Sequence, residues 1–517
     1  MIGTVLTEPI RGQVARAVRA DTAWADGMLS GFPGAPFPET PPARITAAAL
    51  ADLLGYWSAS DGPLYRLLAA RLGRLADTAE LPTGLRLPPE RELATVLSVS
   101  RNTVAMAYQV LRDEGMADSR QGSGTRIVPH QCTPAGVHRA NGFFTRILGT
   151  STVEADLTLA TVECAPQVAA ALEDPSAVLS AAARRAITAT PGYFPYGLPD
   201  LRAAIADMLT TRHGLPTRPE EVIVTTGAQQ ALDLLIRCEV VAGQPVVTED
   251  PTFPGVLDSL HRSGARPVGV PVGDMARLER ALAAHRPPLV YLVPTHQNPV
   301  GVSLPLTSRR RVLALAKAYP DTVFIDDMTV ADLPLTDAPP PPPLAALDSC
   351  APNVVTVGSL SKTYWGGLRT GWIRAPQGII ARLASAKAAA DLGSTAYQQA
   401  IVAAVIAGRN DEILKWRADW LRPRCAAITA ALRQYLPAWQ WACPVGGLSI
   451  WARLPGNTDA GAFTQAALRK CVAVVPGRLL SATGDADARH HVRLAFVLPP
   501  DQLTEAIKSL STIDSPP

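Results

Sequence analysis

Apolar residues fall at helical spacing from about residue 45. ITAAALADLLGYW (45–57) sets Ile45, Leu50, Leu53, Leu54 and Trp57 on roughly one face. PLYRLLAARLGRLA (63–76) repeats the pattern behind a proline, a favoured first helical position. LPTGLRLPP (81–89) is punctuated as a loop, and PERELATVL (89–97) predicts a short helix. SRNTVAMAYQVLRDEG (100–115) predicts a longer helix, with Ser100 as its N-cap and Gly115 as its stop. In ADSRQGSGTRIV (117–128) the pattern changes to two short strands joined by the glycines of QGSG.

A different rhythm runs from about residue 156 to the end. Short apolar runs alternate with helical stretches: EVIVTT (221–226), PVVTED (245–250), PLVYLVP (288–294), TVFIDD (322–327) and NVVTVGSL (353–360). That is the pattern of a mostly parallel sheet covered by helices, so the fold class is α/β. APPPPPL (338–344) between two of these runs can be neither helix nor strand and reads as a stiff surface loop. GFPGAPFPETPPAR (31–44) marks residues 1–44 as a flexible extension, and residues 129–155, which carry no clear period, read as an interdomain linker. The division is therefore 1–44, 45–128, 129–155 and 156–517.

Composition changes this picture little. The 517 residues exceed what one hydrophobic core usually supports, in keeping with two domains. The seven cysteines include no C-x-x-C pair, so neither a disulfide framework nor a zinc site is indicated. No apolar run is long enough to span a bilayer, and the first residues lack the basic-then-apolar order of a signal peptide. A cytoplasmic protein without a membrane partner is expected. A net charge of +3 does not by itself point to nucleic acid.

The case for DNA is local. Helix, short helix, turn, helix, ribbon is the order of a winged helix-turn-helix. Such a motif places the start of its recognition helix at base edges in the major groove. That start here is Ser100, Arg101, Asn102 and Thr103, where Arg101 can bond guanine bidentately and the short polar side chains reach bases or phosphates. LPPERELATVLSVSRNTVAMAYQVLRDEGMADSRQGSGT resembles the motif of the GntR family of regulators. The resemblance implies that Arg91 contacts DNA and that Gln121 and Gly122 form a wing tip near the minor groove. Nine arginines against seven acidic residues in 62–126 leave only a small positive balance, so placement and paired half-sites matter more than bulk charge.

The α/β half carries a second chemistry. Pyridoxal phosphate needs a Schiff-base lysine, a carboxylate on its ring nitrogen, donors for its phosphate and an aromatic ring against its pyridine. TTGAQQALDLL (225–235) follows a strand and opens a helix, where free backbone N–H groups cradle phosphate. SLSKTYWGGLRTGW (359–372) places Lys362 between Ser359 and Arg369, whose forked donor suits phosphate. With EDPTFPG (249–255), PTHQNPVG (294–301), FIDDMTVADL (324–333), GGLSIWARLP (446–455) and RLAFVL (493–498), these segments resemble the fold-type I aminotransferases. The resemblance implies Lys362 as Schiff-base residue, with Gly227, Ala228, Gln229, Ser359 and Arg369 at the phosphate. It further implies Phe253 on the ring, Asn298 on the phenolic oxygen, Asp326 on the ring nitrogen, and Arg493 on an effector carboxylate. Where relatives carry a tyrosine on the phenolic oxygen, this chain has Met328 or Thr329, and methionine cannot donate that bond. YFPYGLPDLRAAI (193–205) resembles the segment that carries a tyrosine into a partner subunit's phosphate site, with Tyr193 and Tyr196 both possible.

The fusion of the two halves resembles the MocR subgroup of GntR regulators, from about residue 45 to the end. The resemblance implies a bacterial, nucleoid-associated regulator binding double-stranded operator DNA. Its aminotransferase-like domain would sense an amine, an amino acid or pyridoxal phosphate itself through Lys362, rather than act as an enzyme. It also implies a head-to-tail homodimer with each DNA reader against the partner's large domain. The alternative is a working aminotransferase that carries a DNA-binding domain, and loss of the tyrosine counts mildly against it.

Overall fold

The computed structural model describes residues 44–55, 57–58, 63–77, 80–113, 115–120, 124–128, 153–348, 353–484 and 487–513. Residues 1–43, nearly all of the expected linker, and the wing-tip candidates Gln121 and Gly122 lie outside them.

The DNA-reading half contains α1 (Ala47–Leu54), α2 (Leu64–Asp77), α3 (Glu90–Leu97), α4 (Arg101–Asp113) and the antiparallel ribbon β1 (Ala117–Arg120) with β2 (Gly124–Ile127). Thr46 caps α1 by accepting from the Ala49 N–H at 3.1 Å, and Ser100 caps α4 through the Thr103 N–H at 3.1 Å. The apolar stripes close on one core of Leu50, Leu54, Leu68, Leu72, Leu93, Leu97, Val104 and Leu111. Tyr108, buried in that core, donates to the Pro88 carbonyl at 2.9 Å and so fixes α4 against the entry to α3.

Ala155–Asp156 (β3) pairs in parallel with Val472 and Ala473. Strand structure therefore begins inside the range read as linker. The main sheet contains β4 (Val222–Thr225), β5 (Pro245–Asp250), β6 (Arg266–Pro271), β7 (Leu289–Leu292), β8 (Val323–Asp327), β9 (Val354–Ser359) and β10 (Gly371–Arg374), in the order β4-β10-β9-β8-β7-β5-β6. Only β10 runs antiparallel to its neighbours. Strand alternation splits its side chains between two cores. One face packs on α5 (Ala228–Glu239) and α6 (Pro254–Arg262), through Tyr291, Ile325, Val355 and Val357. The other packs through Val290, Phe324 and Val354 on Leu344 and on the long α7 (Ala396–Tyr435). Of the five prolines 339–343, the first four are exposed or half-buried, while Pro343 is buried and leads into a short helix that starts at the buried Leu344.

A C-terminal subdomain adds β11 (Gln440–Trp441), β12 (Ser449–Arg453), α8 (Ala460–Arg469), β13 (Val472–Ala473), β14 (Val475–Pro476) and β15 (His491–Ala495). Four of these strands form a sheet in the order β11-β12-β15-β14. The reader rests on this subdomain of its own chain. Gln465 on α8 donates to the Gly55 carbonyl at 2.8 Å, and Arg469 donates to the Leu97 carbonyl at 3.3 Å. Among the described residues no helix is long and apolar enough to cross a membrane.

Candidate cofactor site and DNA-reading surface

The carboxyl ends of parallel strands form the edge where α/β sheets receive ligands, and there the sequence motifs converge. The α5 helix starts at Gly227 with φ +81° and no side chain caps it, so its first N–H groups face outward. Arg369 crosses this start and donates to the Thr226 carbonyl at 2.8 Å. A Cβ on Gly227 would come within 2.9 Å of the Arg369 guanidinium, and one on Gly371 within 2.7 Å of the Gly227 backbone. Both glycines allow the close approach of Arg369 and of β10 to the cradle of N–H groups at the start of α5, which a side chain at either position would block. Ser359 ends β9 on the same face as Val355 and Val357, and its hydroxyl lies 3.1 Å from the Thr370 carbonyl.

Lys362 sits behind this cradle and donates to the Ala160 carbonyl at 2.7 Å. Burial, with the nearby charges of Arg493 and Arg369, brings its amine down from 10.5 to about 8. Arg493 is buried in β15 and donates to the Thr158 carbonyl. Phe253 precedes the first residue of α6 without capping it and packs on the α5 face of the sheet. Asn298 makes no hydrogen bond to another described side chain or backbone group, so its amide is available to a bound group.

Two expectations change. Asp326 faces away from the cradle: it accepts from the Leu344 N–H at 2.7 Å on the Phe324 face, with Arg309 near. Asp327, one residue on, points to the α5 and α6 face and accepts from the Tyr291 hydroxyl at 2.7 Å. The reason is the two-residue period of β8, which puts neighbouring side chains on opposite faces. Asp327, not Asp326, is thus the carboxylate on the cofactor side. Burial pushes its carboxyl up, against the opposing bonds from Thr329 and Tyr291. Gln229 is the second case. Its side chain turns away and donates to the Gly255 carbonyl at 2.9 Å, leaving only its backbone N–H for a phosphate. With Asp327 as the anchor, Thr329 follows two residues later on the cofactor side, bonding Asp327 through its N–H at 2.8 Å. Met328 lies between them, buried.

These residues fit pyridoxal phosphate. The glycine-lined cradle under Arg369 suits a phosphate, the depressed Lys362 amine suits a carbonyl, and a buried carboxyl held above its ordinary value by desolvation suits a protonated ring nitrogen.

In the reader, Ser100, Arg101 and Asn102 are exposed at the start of α4, and Arg91 is exposed at the start of α3. Arg101 lies 3.3 Å from Glu90, in a solvated pair that costs little to exchange for a base or phosphate. Ser100 and Thr103 hydroxyls bond each other at 2.8 Å, so both serve the helix cap as well as the surface.

The family model for aminotransferase class I and II matches residues 162–510, two thirds of the chain. The chain belongs to this family. The model for bacterial regulatory proteins of the gntR family matches residues 64–127, so the aminotransferase-like domain is fused to a gntR-type helix-turn-helix. An uncharacterized HTH-type transcriptional regulator of Bacillus subtilis, YisV, is 28% identical over 84% of this chain and 93% of its own length. The probable rhizopine catabolism regulatory protein MocR of Rhizobium meliloti is 31% identical over 61% of this chain and 66% of its own. Among solved structures, the Thermus thermophilus α-aminoadipate aminotransferase LysN, complexed with N-(5'-phosphopyridoxyl)-L-leucine, superposes with a TM-score of 0.60. It is 29% identical, over 69% of this chain and 92% of that one.

Within the aminotransferase-like half, three residues escaped the sequence reading. Tyr291 holds Asp327. Thr226 receives Arg369. Glu249, buried between β5 and β7, accepts from the Val293 N–H at 2.9 Å. Burial pushes Glu249 up to about 8, although its bonds to Val293 and Gln297 pull the other way. Alternation along VVTED and VYLVP could have flagged Tyr291 and Glu249 as inward polar groups. Thr226 acts through its carbonyl, which side-chain identity does not disclose.

Proposed function

We propose that this chain is a pyridoxal-phosphate-dependent transcriptional regulator of the MocR type, in which cofactor or amine binding alters operator recognition. The observation that carries the reading is a lysine-centred phosphate cradle in the same chain as an exposed recognition-helix start. Pyridoxal phosphate supplies an aldehyde that condenses with amines. The N–H groups of Gly227, Ala228 and Gln229, with Ser359 and Arg369, hold the phosphate. Phe253 covers the ring, Asn298 bonds the phenolic oxygen, and Asp327 takes the ring nitrogen. Lys362 fixes the aldehyde end, and Arg493 receives a carboxylate of an amino-acid effector. On DNA, Arg101 and Asn102 read bases, while Arg91, Ser100, Thr103, Gln121 and Gly122 position the reader.

The chain acts as a dimer in this reading. Tyr193 (67% exposed), Tyr196, Leu392 and Tyr397 leave large apolar groups uncovered. Residues 193–196 and 392–397 adjoin, since a Cβ on Gly393 would meet the Phe194 backbone at 2.6 Å. Ser394 lies 3.2 Å from Thr226, which places this patch beside the phosphate cradle. A second copy would cover it.

Selection of sheared genomic fragments on the cofactor-loaded protein, followed by sequencing, tests the regulator reading. It predicts a few enriched sites with paired half-sites, and little transfer of amino groups from common donors to keto acids. Uniform retention of fragments, together with rapid amino transfer, would make the chain an aminotransferase that carries a DNA-binding domain.

A further inference from the structure

Residues 478–483, between β14 and β15, touch both functional halves. At one end Arg478 lies 3.3 Å from Asp52 on α1 of the reader, and both side chains are largely covered. Gly461 on α8 keeps Arg478 in place: a Cβ there would come within 2.9 Å of the guanidinium. At the other end the Leu480 carbonyl accepts from the Thr252 N–H at 2.8 Å. Ser481 and Thr483 hydroxyls donate to Asp250 at 3.0 and 2.8 Å, and the Thr483 N–H adds a third bond at 3.2 Å. Asp250 to Thr252 lead directly into Phe253, which covers the cofactor ring in the reading above. Six residues thus join the cofactor loop to the DNA reader without an intervening element.

The physical character of the reader contact suits a switch. Burial pushes the Asp52 carboxyl up to about 6, with Arg478 pulling it down and Asp459 pushing it up. Pairing with Arg478 does not fully offset the water lost by the carboxylate, and both side chains keep partial access to water at the edge of the contact. The flanking bonds from Gln465 and Arg469 go to backbone carbonyls at the ends of α1 and α3 and fix position without a second ion pair.

We propose that residues 478–483 are the strap that couples the cofactor site to the DNA reader, latched by the Asp52–Arg478 pair. A shift of the Asp250–Phe253 loop on ligand binding moves Arg478, and the reader leaves or regains its seat on the C-terminal subdomain. By linkage, operator binding changes cofactor affinity by the same factor as cofactor changes operator affinity. This rests on the regulator reading.

The test measures operator affinity with and without pyridoxal phosphate for the full-length protein, Arg478→Gln, Asp52→Asn, and the reversed pair Asp52→Arg with Arg478→Asp. Borohydride trapping of cofactor on Lys362 is followed in every sample. In the unaltered protein the two affinities differ by about fivefold or more, the lower range of measured couplings. In each single variant the ratio falls below about twofold while trapping and cofactor-free DNA affinity persist, and the reversed pair restores it in part. A single variant that keeps the full ratio overturns the strap while leaving the regulator reading intact. A ratio of one in the unaltered protein overturns the strap and, with it, the form of the regulator reading in which the cofactor itself is the signal.

Discussion

Raising the pH over cofactor-free protein titrates Lys362, and the structure sets where. Burial and the charges of Arg493 and Arg369 bring the amine from 10.5 to about 8. At pH 7 roughly 10% of the amines are then neutral, against about 0.03% at the ordinary value, a gain of about 300-fold in nucleophile. The sign is simple: the neutral amine attacks, so reactivity climbs about tenfold per pH unit until it levels off above 8. Brief acetylation between pH 6 and 11, read by mass spectrometry on the Lys362 peptide, measures the midpoint. Arg493→Gln removes a neighbouring positive charge and moves the midpoint upward. A midpoint above 10, or one indifferent to Arg493→Gln, would refute the reasoning that burial and neighbouring cations prepare this lysine.

Three further outcomes are expected. Asp327→Asn weakens cofactor binding by about 10- to 100-fold, the worth of a hydrogen bond to a charged group, while Asp326→Asn leaves it within a few-fold; a spectroscopic titration separates them. Glu249, with a folded-state value raised from 4.5 to about 8, takes up its proton more readily in the folded state. Its contribution to stability is therefore greatest below about 4.5 and is lost as pH rises to about 8, and Glu249→Gln removes that component of the pH dependence in thermal melts. In DNA binding, Arg101→Ala costs about 1–3 kcal/mol and relaxes base preference at one position. Arg91→Ala instead weakens all sequences alike and lowers the salt slope by about one, as anisotropy titrations at several salt concentrations will report.

Much of this was legible in the chain. The helices of the reader and five strands of the sheet follow from apolar spacing, because each buries a single face and its period declares it. Gly227, Lys362 and Arg369 lie in segments whose motifs singled them out, and the structure brings Arg369 onto the start of α5. What was not legible depends on phase and on distance. FIDD offers two adjacent carboxylates, and only the register of β8 decides which one faces α5 and α6. Edge strand β6 and inner strand β10 lack a distinctive apolar run, and β10 is antiparallel in an otherwise parallel sheet. The Asp52–Arg478 contact joins residues 426 apart, between surfaces that each look ordinary alone. Gln229 was read as part of a phosphate loop, and its side chain is committed to the packing of α5 on α6, which leaves its backbone N–H for that role.

The central claim is that one chain couples Lys362-bound cofactor to operator recognition. Its most direct test is fluorescence anisotropy on a selected operator fragment, with and without pyridoxal phosphate, for the unaltered protein and Lys362→Ala. The account predicts an affinity that responds to cofactor in the first protein and is indifferent to it in the second, at equal protein and salt. An operator affinity that ignores cofactor in both, or responds equally in both, would contradict it.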